Sequence, residues 1–227
     1  MKPLLIACMI LGAAHLAPCE AVRWEFDDLV GWKNGSQAGS PQSYSVDSGK
    51  LRISTRANTR DRVKVARKER YQAGIFTWRI YVPAMGAGDQ ASIGAFLYAD
   101  DKREFDFEIG YGKAELRKQL KAKKTDMVCY CTTQGLPFSS SQFLVKAEAW
   151  HTFAISLEET ERGTYDLAWS IDGKVVKKVP SRIKSSVDFS LLCSMENLTF
   201  MGDHIPKENN HALFDWVEYT FPPSNAK

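Results

Sequence analysis

Apolar and polar residues alternate with a period of two along most of the chain. This is the pattern of half-buried β-strands rather than of helices. Residues 75–82, Ile-Phe-Thr-Trp-Arg-Ile-Tyr-Val, predict a strand closed by Pro83. Residues 91–98, 126–132 and 150–157 predict three more. Residues 165–171 and 174–179 flank Asp172-Gly173, a pair suited to a type I′ hairpin turn. Residues 213–219 alternate again, and turn residues recur between the runs at Asn34-Gly35, Ser48-Gly49, Gly135 and Pro222-Pro223. One segment, 113–124, is ambiguous: Leu116 and Leu120 fit a helix face, while Ala114, Leu116, Leu120 and Ala122 fit alternate strand positions. Many short strands without helical connections predict one all-β domain, an antiparallel β-sandwich of jelly-roll type.

The N-terminus breaks the pattern. Lys2 precedes a short apolar run at residues 4–11 that ends in Gly12-Ala13-Ala14. A basic start, an apolar centre and a small-residue exit predict a secretory signal peptide over residues 1–21, with cleavage after Ala21. The run is shorter than the ~20 apolar residues of a membrane span. A lipid anchor at Cys19 is disfavoured by Pro18 before it. A secreted or periplasmic domain at residues 22–227 is therefore expected. Of five cysteines, Cys129, Cys131 and Cys193 remain after cleavage. An oxidising compartment permits one disulfide among them, and buried thiols are an equal alternative.

Composition narrows little. The chain of 227 residues has 30 Lys and Arg against 27 Asp and Glu, for a net charge of +3. Removing residues 1–21 takes away Lys2 and Glu20 and leaves that balance unchanged. Basic residues cluster at 52–70 and 113–124. They suit an anionic polymer, or simply solvated strands whose charges discourage edge pairing. No recognition motif accompanies them, so no nucleic-acid partner is expected. His151, His204 and His211 lack metal-ligand spacing.

The informative segment is Glu104-Phe105-Asp106-Phe107-Glu108-Ile109-Gly110. On a strand, three acids share one face and Phe105, Phe107 and Ile109 share the other. Three like charges in a row repel, and folding does not require them. Glu104 and Glu108 have Cα atoms about 13 Å apart, and inward-leaning side chains can approach the ~5–5.5 Å carboxyl separation of retaining glycosidases. Asp106 lies between them, where its charge or proton raises a neighbour's pKa. From the triplet alone, a solvated acidic face explains the row equally well.

The segment resembles the E-x-D-x-E signature of glycoside hydrolase family 16, in its uninterrupted form. Further blocks resemble the same family in the same order: Tyr71-Gln-Ala-Gly74-Ile-Phe-Thr-Trp-Arg79, Met127 to Gly135, Trp150-His-Thr-Phe-Ala-Ile155 with Ile171-Asp-Gly-Lys174, Met195-Glu-Asn-Leu198, and Phe214-Asp-Trp-Val-Glu-Tyr219. The resemblance implies a concanavalin A-like jelly roll and retaining endo-hydrolysis of a polysaccharide, with β-glucan favoured. Glu104 would be nucleophile, Asp106 helper and Glu108 acid/base. It also implies a monomer that needs no cofactor for catalysis. Trp78, Tyr98, Tyr111 and Asn197 are the expected substrate-binding residues, and Asp215 stands where several members hold a structural calcium. Two departures stand out: Lys102-Arg103 precede Glu104, and the family's "MNLW" aromatic is missing from Glu196-Asn197-Leu198-Thr199. Both also fit a catalytically weak carbohydrate-binding protein on the same fold.

Overall fold

The computed structural model describes residues 20–135 and 137–222. The expected signal peptide, apart from Glu20 and Ala21, lies outside the described residues, and so does Cys19. The chain begins with β1 (Ala21–Glu25), β2 (Trp32–Asn34), β3 (Tyr44–Asp47), β4 (Lys50–Thr55) and β5 (Arg62–Tyr71). It continues through β6 (Gly74–Val82), β7 (Ala91–Asp100), β8 (Arg103–Gly110), α1 (Ala114–Gln119), β9 (Asp126–Thr133) and β10 (Ser139–Lys146). It closes with β11 (Ala149–Glu159), β12 (Thr164–Ile171), β13 (Lys174–Lys184), β14 (Phe189–Asn197) and β15 (Asn210–Thr220).

These strands form two antiparallel sheets. One runs β13-β12-β11-β6-β15-β4-β3, with β1 also on β15; the other runs β10-β9-β8-β7-β14-β5-β2. The expected strands are all present. Asp172 and Gly173 have φ of 49° and 76°, as a type I′ turn between β12 and β13 requires. The ambiguous segment is a short helix. It is held from inside, because the buried Arg117 guanidinium donates to the carbonyls of Tyr111, Lys123 and Asp126.

The core lies between the sheets. Phe105, Phe107 and Ile109 of β8 are fully buried there with Phe76, Trp78, Phe153, Trp169 and Phe189. Each large side chain contributes roughly 1.5–3 kcal/mol of burial, and a one-residue slip of β8 would lose all three. Register is therefore strongly fixed, and the three acids are committed to the opposite face. Trp169 reinforces this: its indole N–H, coming from the other sheet, donates to the Asp106 carbonyl at 3.1 Å. Trp169→Phe is expected to destabilise the domain by about 1–3 kcal/mol, through the lost bond and lost volume. Urea unfolding checks it, as a lower midpoint at unchanged slope.

Cys129, Cys131 and Cys193 are all free thiols buried in this core. Of the two alternatives, the structure has packed thiols. Cys129 and Cys131 lie opposite Ile109 and Phe107 on β8, so both point inward as small apolar residues.

Candidate active site

The outward face of β8 is not the solvated face that three charges suggest. Asp106 is 2% exposed and Glu108 7% exposed, on the floor of a cleft. Neighbouring strands build the walls. On β9, Tyr130 and Thr132 stand opposite Glu108 and Asp106. On β7, Gly94 and Tyr98 stand opposite Glu108 and Glu104. A Cβ on Gly94 would lie 2.3 Å from Ser194 Oγ and 3.3 Å from Glu108 Oε1, so glycine avoids a clash with Ser194 and keeps the carboxyl uncrowded.

All three acids line one depression of about 550 Å3, whose wall includes Tyr130, Gln134, Phe138 and Phe200. A second depression of about 330 Å3 adjoins it, sharing Arg62, Glu104 and Glu108 and adding Lys64, Tyr98 and Glu196. A larger one, about 860 Å3, lies beside the β7–β8 turn and touches the cleft at Gln134. It contains none of the three acids, so chemistry rather than size locates the site.

The carboxyls differ in their surroundings. Burial pushes Glu104 up to about 7, helped by the Glu196 charge, while Lys64 and Arg62 pull it back. Burial raises Asp106 well above the usual range, and the Glu104 charge adds to it; Thr132 and Gln134 hydrogen bonds oppose this. Burial raises Glu108 well above its ordinary value too, with Glu196 and Asp106 adding to it. Ser92 Oγ donates to Glu108 Oε2 at 2.5 Å. All three carboxyls therefore hold their protons to higher pH than free carboxyls do, on one strand face and in one depression. Paired carboxyls in such surroundings can serve as nucleophile and acid.

The other expected site residues divide. Tyr98 lines the cleft, with its hydroxyl donating to Asp101 at 2.8 Å. Trp78 does not reach it. Trp78 shares the inward face of β6 with Phe76 and Ile80, is fully buried, and donates to the Leu192 carbonyl. Tyr111 lies under the Arg117 guanidinium, 3.7 Å from its ring centre, rather than along the cleft wall. Asn197 is buried and spends its amide on the 56–61 loop, donating to Thr59 O and accepting from Thr55 Oγ1. His151 is likewise structural, bonded to Asp172 and to the Lys146 carbonyl. Asp215 has the Lys50 ammonium 3.6 Å away. Among the described residues no cluster of three or more His, Cys, Asp or Glu could hold a metal ion.

Several cleft residues escaped the sequence reading. Phe200 and Phe138 are 44% and 66% exposed at the cleft wall, and Phe200 packs edge-on against Tyr130. The aromatic expected at Thr199 is therefore supplied one residue later. Arg62, Lys64 and Glu196 were also missed as site residues. The signal was present: Arg62 and Lys64 alternate with the core residues Val63 and Val65, so both leave the core on one face.

No protein-family model matches the chain, and no curated protein matches it. Solved structures do. The catalytic domain of an endo-1,3-β-glucanase (laminarinase) from Thermotoga petrophila aligns with a TM-score of 0.67 at 15% identity, over 91% of this chain and 99% of that one. A β-glucanase from Bacillus licheniformis aligns with a TM-score of 0.61 at 16% identity, over 89% and 98%. The Crh5 transglycosylase, solved in complex with NAG, aligns with a TM-score of 0.65 at 16% identity, over 89% and 85%. The chain therefore has the two-sheet antiparallel jelly-roll fold of these solved glucanases.

Proposed function

We propose that this protein is an exported, retaining endo-glycosidase that cleaves internal β-linkages of a β-glucan. The observation that carries the reading is that Glu104, Asp106 and Glu108 share one face of β8 and line one depression, where burial raises all three carboxyls. Ionised Glu104 attacks the anomeric carbon while Glu108 protonates the leaving glycosidic oxygen. The covalent glycosyl intermediate is then hydrolysed by a water that Glu108 deprotonates. Buried Asp106 lies between the two and acts through its charge and shared proton. The β-glucan preference draws support from the fold's solved examples named above as glucanases. Export draws support from the basic, apolar and small-residue sequence at the N-terminus.

The pH dependence follows from the same groups. Activity rises with pH as Glu104 ionises near 7, and falls at higher pH as Glu108 loses its proton. Phe200 offers a sugar ring an apolar face. Phe200→Ala is expected to raise KM about tenfold with little change in kcat, equal to about 1.4 kcal/mol of uniform binding.

The test is a screen of the mature protein against mixed-linkage glucan, laminarin, xyloglucan, agarose and carrageenan, with Glu108→Gln as control. Release of new reducing ends from a β-glucan by the wild-type protein alone supports the reading. Glycan binding with no bond cleavage on any of them would replace it with a carbohydrate-binding role.

A further inference from the structure

Glu196 is a fourth carboxyl in the cleft, and it is 1% exposed. It lies on β14, in register with Arg62 of β5 on one side and Ser92 of β7 on the other. Its carboxylate is clamped by two cations. Arg62 Nε donates to Oε2, and Lys64 Nζ lies 2.5 Å from the same oxygen. Ser92, its register partner, donates to Glu108. One clamp thus adjoins both Glu104 and Glu108 in the 330 Å3 depression.

Packing alone does not account for Glu196. Met195 and Cys193 of the same strand fill the core, while Glu196 faces away from it. Burying a charge with two partners often contributes little net stability relative to an apolar replacement. The geometry does place one carboxylate and its two cations against the reacting pair: Glu196, Arg62 and Lys64 line the same depression as Glu104 and Glu108.

We propose that Glu196, clamped by Arg62 and Lys64 beside Glu104 and Glu108, is a positioning residue that governs the acid–base behaviour of both. The inference rests on the glycosidase reading of the same cleft. Arg62 and Lys64 favour the ionised Glu104 needed for attack. Glu196 disfavours the ionised Glu108 that could not act as acid. The other titratable groups lining the depression with Glu196 are Glu104 and Glu108 of β8, Tyr98 of β7 and Asp101 of the following turn, with Asp106 in the adjoining one; Gly35 and Gln37 add no charge. Glu196 is the second-largest influence on both glutamates after burial.

The discriminating experiment is a pair of variants with opposite expected signs. Glu196→Gln removes the anion and leaves both cations, so Glu104 and Glu108 both ionise more readily. Both limbs of the kcat/KM pH profile should move to lower pH, by about one unit. Lys64→Met removes a cation and should move the acidic limb to higher pH. Carbon-13 NMR titration of carboxyl-labelled glutamates measures the Glu104 midpoint without turnover. It should fall in Glu196→Gln and rise in Lys64→Met. A purely structural role would lower the melting temperature and kcat while leaving both midpoints in place, and that result overturns the proposal. If Glu196→Gln does not fold, the Lys64→Met midpoint decides alone: an unchanged value overturns the proposal. An inactive wild-type protein instead overturns the glycosidase reading, and with it the catalytic meaning of Glu196.

Discussion

Glu104→Gln is expected to lower kcat on a β-glucan about 10⁴-fold or more while leaving the fold intact. Glutamine has the shape of the carboxyl but no charge, so it cannot form the glycosyl intermediate. The substitution leaves the structure little to lose. Glu104 lies on the cleft face of β8, and the registry of that strand is fixed from the other side by Phe105, Phe107 and Ile109. Circular dichroism should match that of the wild-type protein, and the melting temperature should equal the wild-type value near pH 4 and exceed it above about pH 7, because burial raises the folded Glu104 carboxyl to about 7. Near-normal hydrolysis by a properly folded Glu104→Gln variant rules out this residue as nucleophile.

Glu108→Gln should have two effects of opposite sign. Turnover of a polysaccharide should drop about 10²–10⁴-fold, the usual contribution of a positioned acid. An aryl glycoside, whose leaving group needs no proton, should lose much less. Stability should move the other way. Burial raises the folded pKa of Glu108 well above its ordinary value. The unfolded chain has a pKa of about 4.3. Ionisation thus opposes folding, and stability is lost as pH rises from about 4.3 through the folded pKa. Glutamine carries no such penalty, and its amide oxygen can still accept from Ser92. The melting temperature of Glu108→Gln should equal the wild-type value near pH 4 and exceed it increasingly as pH rises toward the folded pKa. A difference that does not change with pH contradicts the assignment of a buried, raised carboxyl at this position.

The strands were legible because alternation is a local property. Residues 104–110 announce which side chains enter the core, and the structure follows that parity throughout β8. The same parity was readable for Trp78, which falls in step with Phe76 and Ile80 and is a core residue. Treating it as a cleft aromatic set aside that information. The burial of Asp106 and Glu108 was not legible, because it depends on which strands stand beside β8. Thr132 comes from β9, while Glu196 lies on β14 and reaches the site only across β7. Phe200 lies beyond the end of β14, where no period determines its direction. Helix α1 has six residues, too few for the 3.6-residue period to separate it from a strand.

Nucleophilic attack by a carboxylate followed by hydrolysis retains configuration at the anomeric carbon. The most direct measurement is the anomeric proton spectrum of the first sugars released from laminarin or mixed-linkage glucan, recorded before mutarotation. The account requires the β-anomer to appear first with the wild-type protein and no new anomer with Glu104→Gln. Initial release of the α-anomer, or release undiminished in Glu104→Gln, would contradict it.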